Sequence, residues 1–193
     1  MGDILVAAIR VLGREGASRF TTARVAEEAG VSVGSLYQYF PNKEALLFRL
    51  QADEWEQTWG ALSAILEDSR VPWRERLDRA VVAFFVSEGA EAALRSALEE
   101  AGAAYRESPE AAALAERARQ TMLVFVGEAL PGATEEQKAF AADFVFTSMA
   151  AVAEKVTAEG RPAEEVKRWG AAFAELLRGY LSTPSSAPVD AGS

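Results

Sequence analysis

The chain has 193 residues, with 29 acidic side chains against 20 basic ones, a net charge of −9, and neither Cys nor His. Half of it is hydrophobic, which supports a folded core and argues against a disordered chain. Without Cys and His there is no disulfide, no Cys nucleophile, no Ser-His-Asp triad and no Cys/His or HExxH zinc site. Apolar runs such as 81–86 fall well short of the roughly 20 residues a membrane span needs. The start, MGDILVAAIR, lacks the basic region of a signal peptide, so a cytoplasmic protein with no membrane partner is expected.

Taken whole, the negative charge argues against a nucleic-acid partner. It is unevenly spread. Residues 1–50 carry Arg10, Arg14, Arg19, Arg24, Lys43 and Arg49 against Asp3, Glu15, Glu27, Glu28 and Glu44, a balance of +1, which leaves −10 for the remainder. The first part therefore has to be judged by itself.

Ala, Leu, Glu and Arg dominate and no period-2 stretch is present, which predicts an all-α fold. Breaks are expected at Gly16, Gly30, Pro41, Pro72, Gly89, Gly102, Pro109, Pro131, Gly160 and Pro184. A first helix is predicted over about 3–15, a second over 22–29 with Thr21 as N-cap, and a third over 33–39 with Ser32 as N-cap. A long fourth helix, capped by Asn42, is predicted to reach about Asp68, some 39 Å at roughly 1.5 Å per residue. Pro72 opens a fifth helix, and a shorter one is expected after Gly89. Ser108-Pro109-Glu110 reads as a helix start, and Thr134 with Gln137 as a capping box. The last two helices are predicted over 135–159 and 163–181, about nine in all, followed by a disordered tail over 182–193.

Residues 21–43, TTARVAEEAGVSVGSLYQYFPNK, satisfy what a helix-turn-helix needs. Val25, Ala26 and Ala29 give the second helix an inner face, with Ala26 as the small contact residue, and Gly30 suits a turn of positive φ. Val31 follows it inward, and Leu36 with Tyr39 is expected to form the inner face of the third helix. An ordinary αα-corner would satisfy the same pattern. The outer face of the third helix tells against that: Val33, Gly34, Ser35, Tyr37 and Gln38 are uncharged and rich in hydrogen-bonding groups, where a solvated face normally carries Glu and Lys. A helix entering a major groove must exclude acids and offer donors at close approach.

The segment FTTARVAEEAGVSVGSLYQYFPNKEALL, with the first helix in front of it, resembles the DNA-binding domain of the tetracycline-repressor (TetR) family of bacterial regulators. The resemblance implies an N-terminal helix-turn-helix domain over 1–47 and a helical ligand-binding and dimerisation domain over 48–181. It implies a homodimeric repressor of a double-stranded operator, released by a small-molecule inducer, with no enzymatic activity and no cofactor. By position it implies phosphate contacts from Thr21 and Thr22, a DNA-facing Arg24, a recognition helix presenting Val33, Gly34, Ser35, Tyr37 and Gln38, and a backbone clamp of Tyr39 and Lys43. Many relatives carry a basic arm before the first helix; this sequence has Asp3 there.

In the larger domain, Phe140, Phe144, Val145, Phe146, Met149, Val152 and Val156 run nearly all round one helix, as in a helix covered on every side. Trp169, Phe173, Leu177 and Tyr180 add a stripe on the last helix. A four-helix dimer interface accounts for both, with Phe140, Phe144, Val145, Val152, Trp169, Phe173, Leu177 and Tyr180 as its candidates; the central helix of a monomeric bundle accounts for the first as well. Trp59, Phe85, Glu88, Tyr105 and Met122 are the candidates for an inducer pocket, against the plainer reading of aromatic core. The competing function is an all-helical binding protein or enzyme whose helix-turn-helix corner is structural only.

Overall fold

The computed structural model describes residues 2–106 and 108–182, with side chains described outside residue 17 and the stretch 90–106. Eight α-helices follow in chain order: α1 Gly2–Glu15, α2 Thr22–Glu28, α3 Val33–Tyr39, α4 Lys43–Glu67, α5 Trp73–Arg106, α6 Pro109–Ala129, α7 Glu135–Ala158 and α8 Ala163–Ser182. A 3-10 turn, Ala17–Arg19, joins α1 to α2. Among the described residues there is no strand. No described helix is long and apolar enough to cross a membrane.

Local chemistry sets most boundaries. The Thr21 hydroxyl accepts from the Arg24 amide at 3.3 Å and the Ser32 hydroxyl from the Ser35 amide at 3.0 Å. Asn42 Oδ1 accepts from the Ala45 amide at 2.7 Å, and Ser108 caps α6 through the Ala111 amide at 3.1 Å. Both halves of the Thr134–Gln137 capping box are made.

One expected break is missing. Gly89 and Gly102 lie inside α5, which runs unbroken for 34 residues, so the separate short helix after Gly89 does not exist. A mid-helix glycine costs only about 1 kcal/mol. At Gly89 an added Cβ would lie in ordinary contact with Val166 at 3.4 Å. Ser182, expected in the disordered tail, closes α8; the rest of that expectation, 183–193, lies outside the described residues.

The chain forms two compact units, Met1–Gly60 with Ala90–Ala115, and Ala61–Gly89 with Glu116–Ser193. The first has its core where α1, α2, α3 and the start of α4 converge: Ala8, Val11, Phe20, Val25, Leu36 and Leu46 are fully enclosed. The second is centred on Val81, Phe85, Phe125, Val145 and Leu177. There α8 comes very close to α5, for a Cβ at Gly170 would lie 3.1 Å from Phe85 Cβ and 3.3 Å from Val82 Cα.

Candidate nucleic-acid interface

The turn between α2 and α3 is fixed by backbone geometry. Gly30 stands at φ +67°, the left-handed region where a Cβ is penalised. Its amide donates to Glu27 O at 3.1 Å, and the Val31 amide donates to Ala26 O at 2.9 Å. This pair of bonds satisfies the last carbonyls of α2 and turns the chain sharply into α3. Val25 and Ala26 are buried, and Ala29 and Val31 pack on the same core.

With α3 anchored by Leu36 and by Phe40 just beyond its end, its other residues face outward. Val33, Gly34, Tyr37 and Gln38 are exposed and Ser35 is partly so. The Tyr37 and Thr22 hydroxyls lie 3.1 Å apart, which links the recognition helix to the first residue of α2. At Gly34 an added Cβ would meet nothing nearer than the Ser32 hydroxyl at 3.7 Å, so the fold itself does not demand glycine there. No acid lies on α3.

Tyr39 corrects the expectation of an inward side chain. It is 55 % exposed, because Leu36 and Phe40, four residues apart, fill the inner face between them. Lys43, the first residue of α4, sits with Nζ 5.8 Å from the Phe20 ring centroid.

The cations of this region divide into two sets. Arg24 is paired with Glu15, and Arg14 reaches Glu15 at 3.2 Å and Glu28 at 3.0 Å. Arg10 stands 4.0 Å from Glu28, and Arg49 pairs with Asp53 one turn along α4. Hydrogen bonds donated to Glu28, then to Glu15, raise the Arg14 guanidinium above its ordinary value. That leaves Arg19 and Lys43 with no carboxylate at ion-pair distance among the described residues. Arg19 was not singled out by sequence; its signal was its place two residues before the Thr21 cap.

The arrangement is an exposed, acid-free, seven-residue helix after a tight turn, with several hydroxyls and two cations nearby that lack an ion-pair partner among the described residues. Residues 4–50 match the bacterial regulatory proteins of the tetR family, and residues 72–183 match the tetracyclin repressor-like C-terminal domain. The chain belongs to the tetR family of bacterial regulatory proteins. Among curated relatives, the nucleoid occlusion factor SlmA of Aliivibrio fischeri is 38 % identical over 69 residues, 35 % of each chain, so the match spans about a third of that relative's length. Among solved structures, the fatty acid degradation regulator FadR from Bacillus halodurans superposes with a TM-score of 0.69 at 18 % identity, covering 92 % of this chain and 94 % of that one. FadR from Bacillus subtilis, solved with stearoyl-CoA, gives 0.66 at 17 % identity, covering 91 % and 96 %. These likenesses bear on the fold.

The remaining candidates lie elsewhere in this tetR-family chain. Phe85 is fully buried with its ring 5.8 Å from Phe173, and Met122 is buried. Trp59 and Glu88 are partly exposed, and the Tyr105 side chain lies outside the described residues. A surface groove of about 340 Å³, lined by Trp73, Arg74, Leu130, Pro131 and Leu181 among others, includes none of the five. Of the interface candidates, Phe140, Phe144 and Trp169 are exposed and Val152, Phe173 and Tyr180 are partly so. Val145 and Leu177 are enclosed in the chain's own core, which leaves them no surface to offer a partner. Leu176, on the same helix, is 58 % exposed and was not among the interface candidates.

Proposed function

We propose that the protein is a homodimeric repressor that reads a palindromic operator through two copies of α3 and is released by a small-molecule inducer. The exposed face of α3, free of acids and rich in hydroxyl and amide groups, is the observation that carries this reading. Tyr37 and Gln38 read base edges, Gly34 and Ser35 allow close approach, and Val33 makes an apolar contact. Thr21, Thr22, Arg24, Tyr39 and Lys43, joined by Arg19, hold the phosphates. Residues 1–47 form the DNA-binding domain, and residues 48–181 bind the inducer and the second copy. Trp59, Phe85, Glu88, Tyr105 and Met122 remain the proposed inducer contacts. The chain acts in the cytoplasm, without catalytic activity.

The dimer reading rests on two parallel ridges. On α7, Phe140, Phe144, Thr147 and Ala151 recur at the four-three-four spacing of a helix seam. On α8, Trp169, Phe173, Leu176 and Tyr180 recur in the same way. The Phe140 and Phe144 rings stack at 6.3 Å, and Phe144 lies 4.9 Å from Tyr180, which joins the ridges into one apolar surface. The α7 ridge is bulky at its start and small toward its end. A twofold axis near Thr147 sets Phe144 of one copy against Ala151 of the other, large into small.

The test is fluorescence anisotropy with the intergenic DNA upstream of the coding sequence against a random duplex. The expected result is a preference for the former that falls steeply with salt and is lost on replacing Tyr37 and Gln38 with Ala, each base contact contributing about 1–3 kcal/mol of discrimination. Equal binding of the two duplexes by the unaltered protein overturns the reading.

A further inference from the structure

Three of the five cations in residues 1–47 are paired with carboxylates. Two carboxylates, Glu15 at the end of α1 and Glu28 at the end of α2, take up Arg10, Arg14 and Arg24. Glu15 is mostly enclosed while Arg24 is half exposed, so the carboxylate is the fixed partner and the guanidinium the movable one. Arg24 also sits on the first full turn of α2, its amide bonded to the Thr21 cap.

We propose that Glu15 is an intramolecular competitor for DNA phosphate: it holds Arg24 back from the backbone and so sets how weakly the protein binds DNA of the wrong sequence. The inference rests on the DNA-binding reading of Arg24 given above. The physical basis is counterion release. A cation already matched by a carboxylate displaces no ion from the duplex, whereas a freed guanidinium engages one more phosphate and forms a charge-assisted, two-pronged bond. Sequence-independent binding comes almost wholly from such contacts. Discrimination is a difference of affinities, so weakening the shared term leaves the base contacts of α3 to decide where the protein stays. Glu15 is placed to do this to Arg24 alone, since Arg14, its other partner, keeps Glu28 when Glu15 is changed.

The experiment measures binding of the full chain to a random-sequence duplex across a salt series, for the unaltered protein, Glu15→Gln, Arg24→Gln and the double variant. Glu27→Gln serves as control, because Glu27 is an exposed carboxylate that holds no arginine among the described residues. Glu15→Gln is expected to tighten binding roughly 1.5- to 5-fold per reading head, the range of an exposed ion pair. The plot of log affinity against log salt should steepen by about 0.9 per head, one phosphate contact each. The double variant should return to the affinity and slope of Arg24→Gln, and Glu27→Gln should leave the slope unchanged. If Glu15→Gln matches Glu27→Gln, or if it tightens equally without Arg24, Glu15 acts only as general negative charge and the proposal is wrong. If Glu15→Gln loosens binding while lowering the melting temperature, its role is structural and the proposal is again wrong. A flat salt dependence in every protein, the unaltered one included, overturns the DNA-binding reading itself.

Discussion

Arg76 offers a quantitative test of what holds the second unit together. Its side chain is 3 % exposed on α5. Nε donates to Val71 O at 2.8 Å, Nη1 to Leu66 O, and Nη2 to Glu128, while the guanidinium lies 5.4 Å from the Phe125 ring centroid. Leu66 belongs to the last turn of α4, whose carbonyls have no partner within the helix, so Arg76 caps that end from another element. Replacing Arg76 with Met keeps an apolar stem against Phe125 but leaves the two carbonyls without donors. At about 1–3 kcal/mol for each buried unsatisfied acceptor, with partial access of water, the loss should be about 2–4 kcal/mol. Glu128 adds little to this, because its side chain is 47 % exposed and water replaces the guanidinium there. Arg76→Ala forfeits the ring contact as well, which brings the loss to about 3–5 kcal/mol. Equilibrium urea unfolding followed by Trp fluorescence at fixed protein concentration measures both. A value for Arg76→Met within about 0.5 kcal/mol of the unaltered protein would show that the carbonyls need no donor, and the reasoning would be refuted.

Gly30→Ala places a Cβ at φ +67° and should cost about 1–2 kcal/mol of stability, with a matching fall in DNA affinity at temperatures near the midpoint; calorimetry and anisotropy on the same samples check it. Gly170→Ala gains roughly 1 kcal/mol of helix propensity but drives a Cβ toward Phe85 and the Val82 backbone, an overpacking of about 1–3 kcal/mol, so it should be neutral to destabilising and Gly170→Val clearly worse. Glu116 is held down to about 2 by hydrogen bonds from Arg119 and Gln120. Since its folded value lies below the ordinary one, the contribution of this cluster is complete above the ordinary carboxylate range and fades as pH falls toward 2; carboxyl-carbon NMR should show a late titration that moves back toward the ordinary range in Arg119→Ala, where Gln120 still donates. Phe140→Asp with Phe144→Asp should yield a monomer by sedimentation, and a dimer with unchanged mass would exclude the α7 ridge as the interface.

Features whose partners lie within three or four residues were legible in the sequence. Thr21, Ser32, Asn42 and Thr134 cap helices by bonding to amides one turn ahead, and Gly30 makes its turn with carbonyls of the helix it ends. Such bonds are written in spacing. The acid-free face of α3 was legible for the same reason, since a seven-residue helix with Leu36 inward leaves few choices for the rest. Tyr39 misled because an inner face can be continued at either i+3 or i+4, and only the packing of Phe40 decides between them. Arg24 pairs with a residue nine positions away and Arg76 with one 52 away, and no periodicity encodes either. Gly89 misled because the propensity cost of one glycine is too small to end a long helix.

The last helix shows where pattern stops being informative and where it still speaks. On α8 the residues facing the protein's own core are Val166, Gly170, Ala174, Leu177 and Leu181, while Trp169, Phe173, Leu176 and Tyr180 form a second ridge beside them. At 3.6 residues per turn the two ridges together span roughly 160° of the helix, wider than the roughly 100° stripe with which a surface helix meets a single core. An apolar arc of that width calls for two neighbours, and the sequence carries that demand. It does not say which ridge meets which neighbour: Leu176 and Leu177 are the same residue type, adjacent in the chain, and one is largely exposed while the other is enclosed. Only once the chain's own fold has claimed Leu177 does Leu176 stand out as the residue left for a second copy.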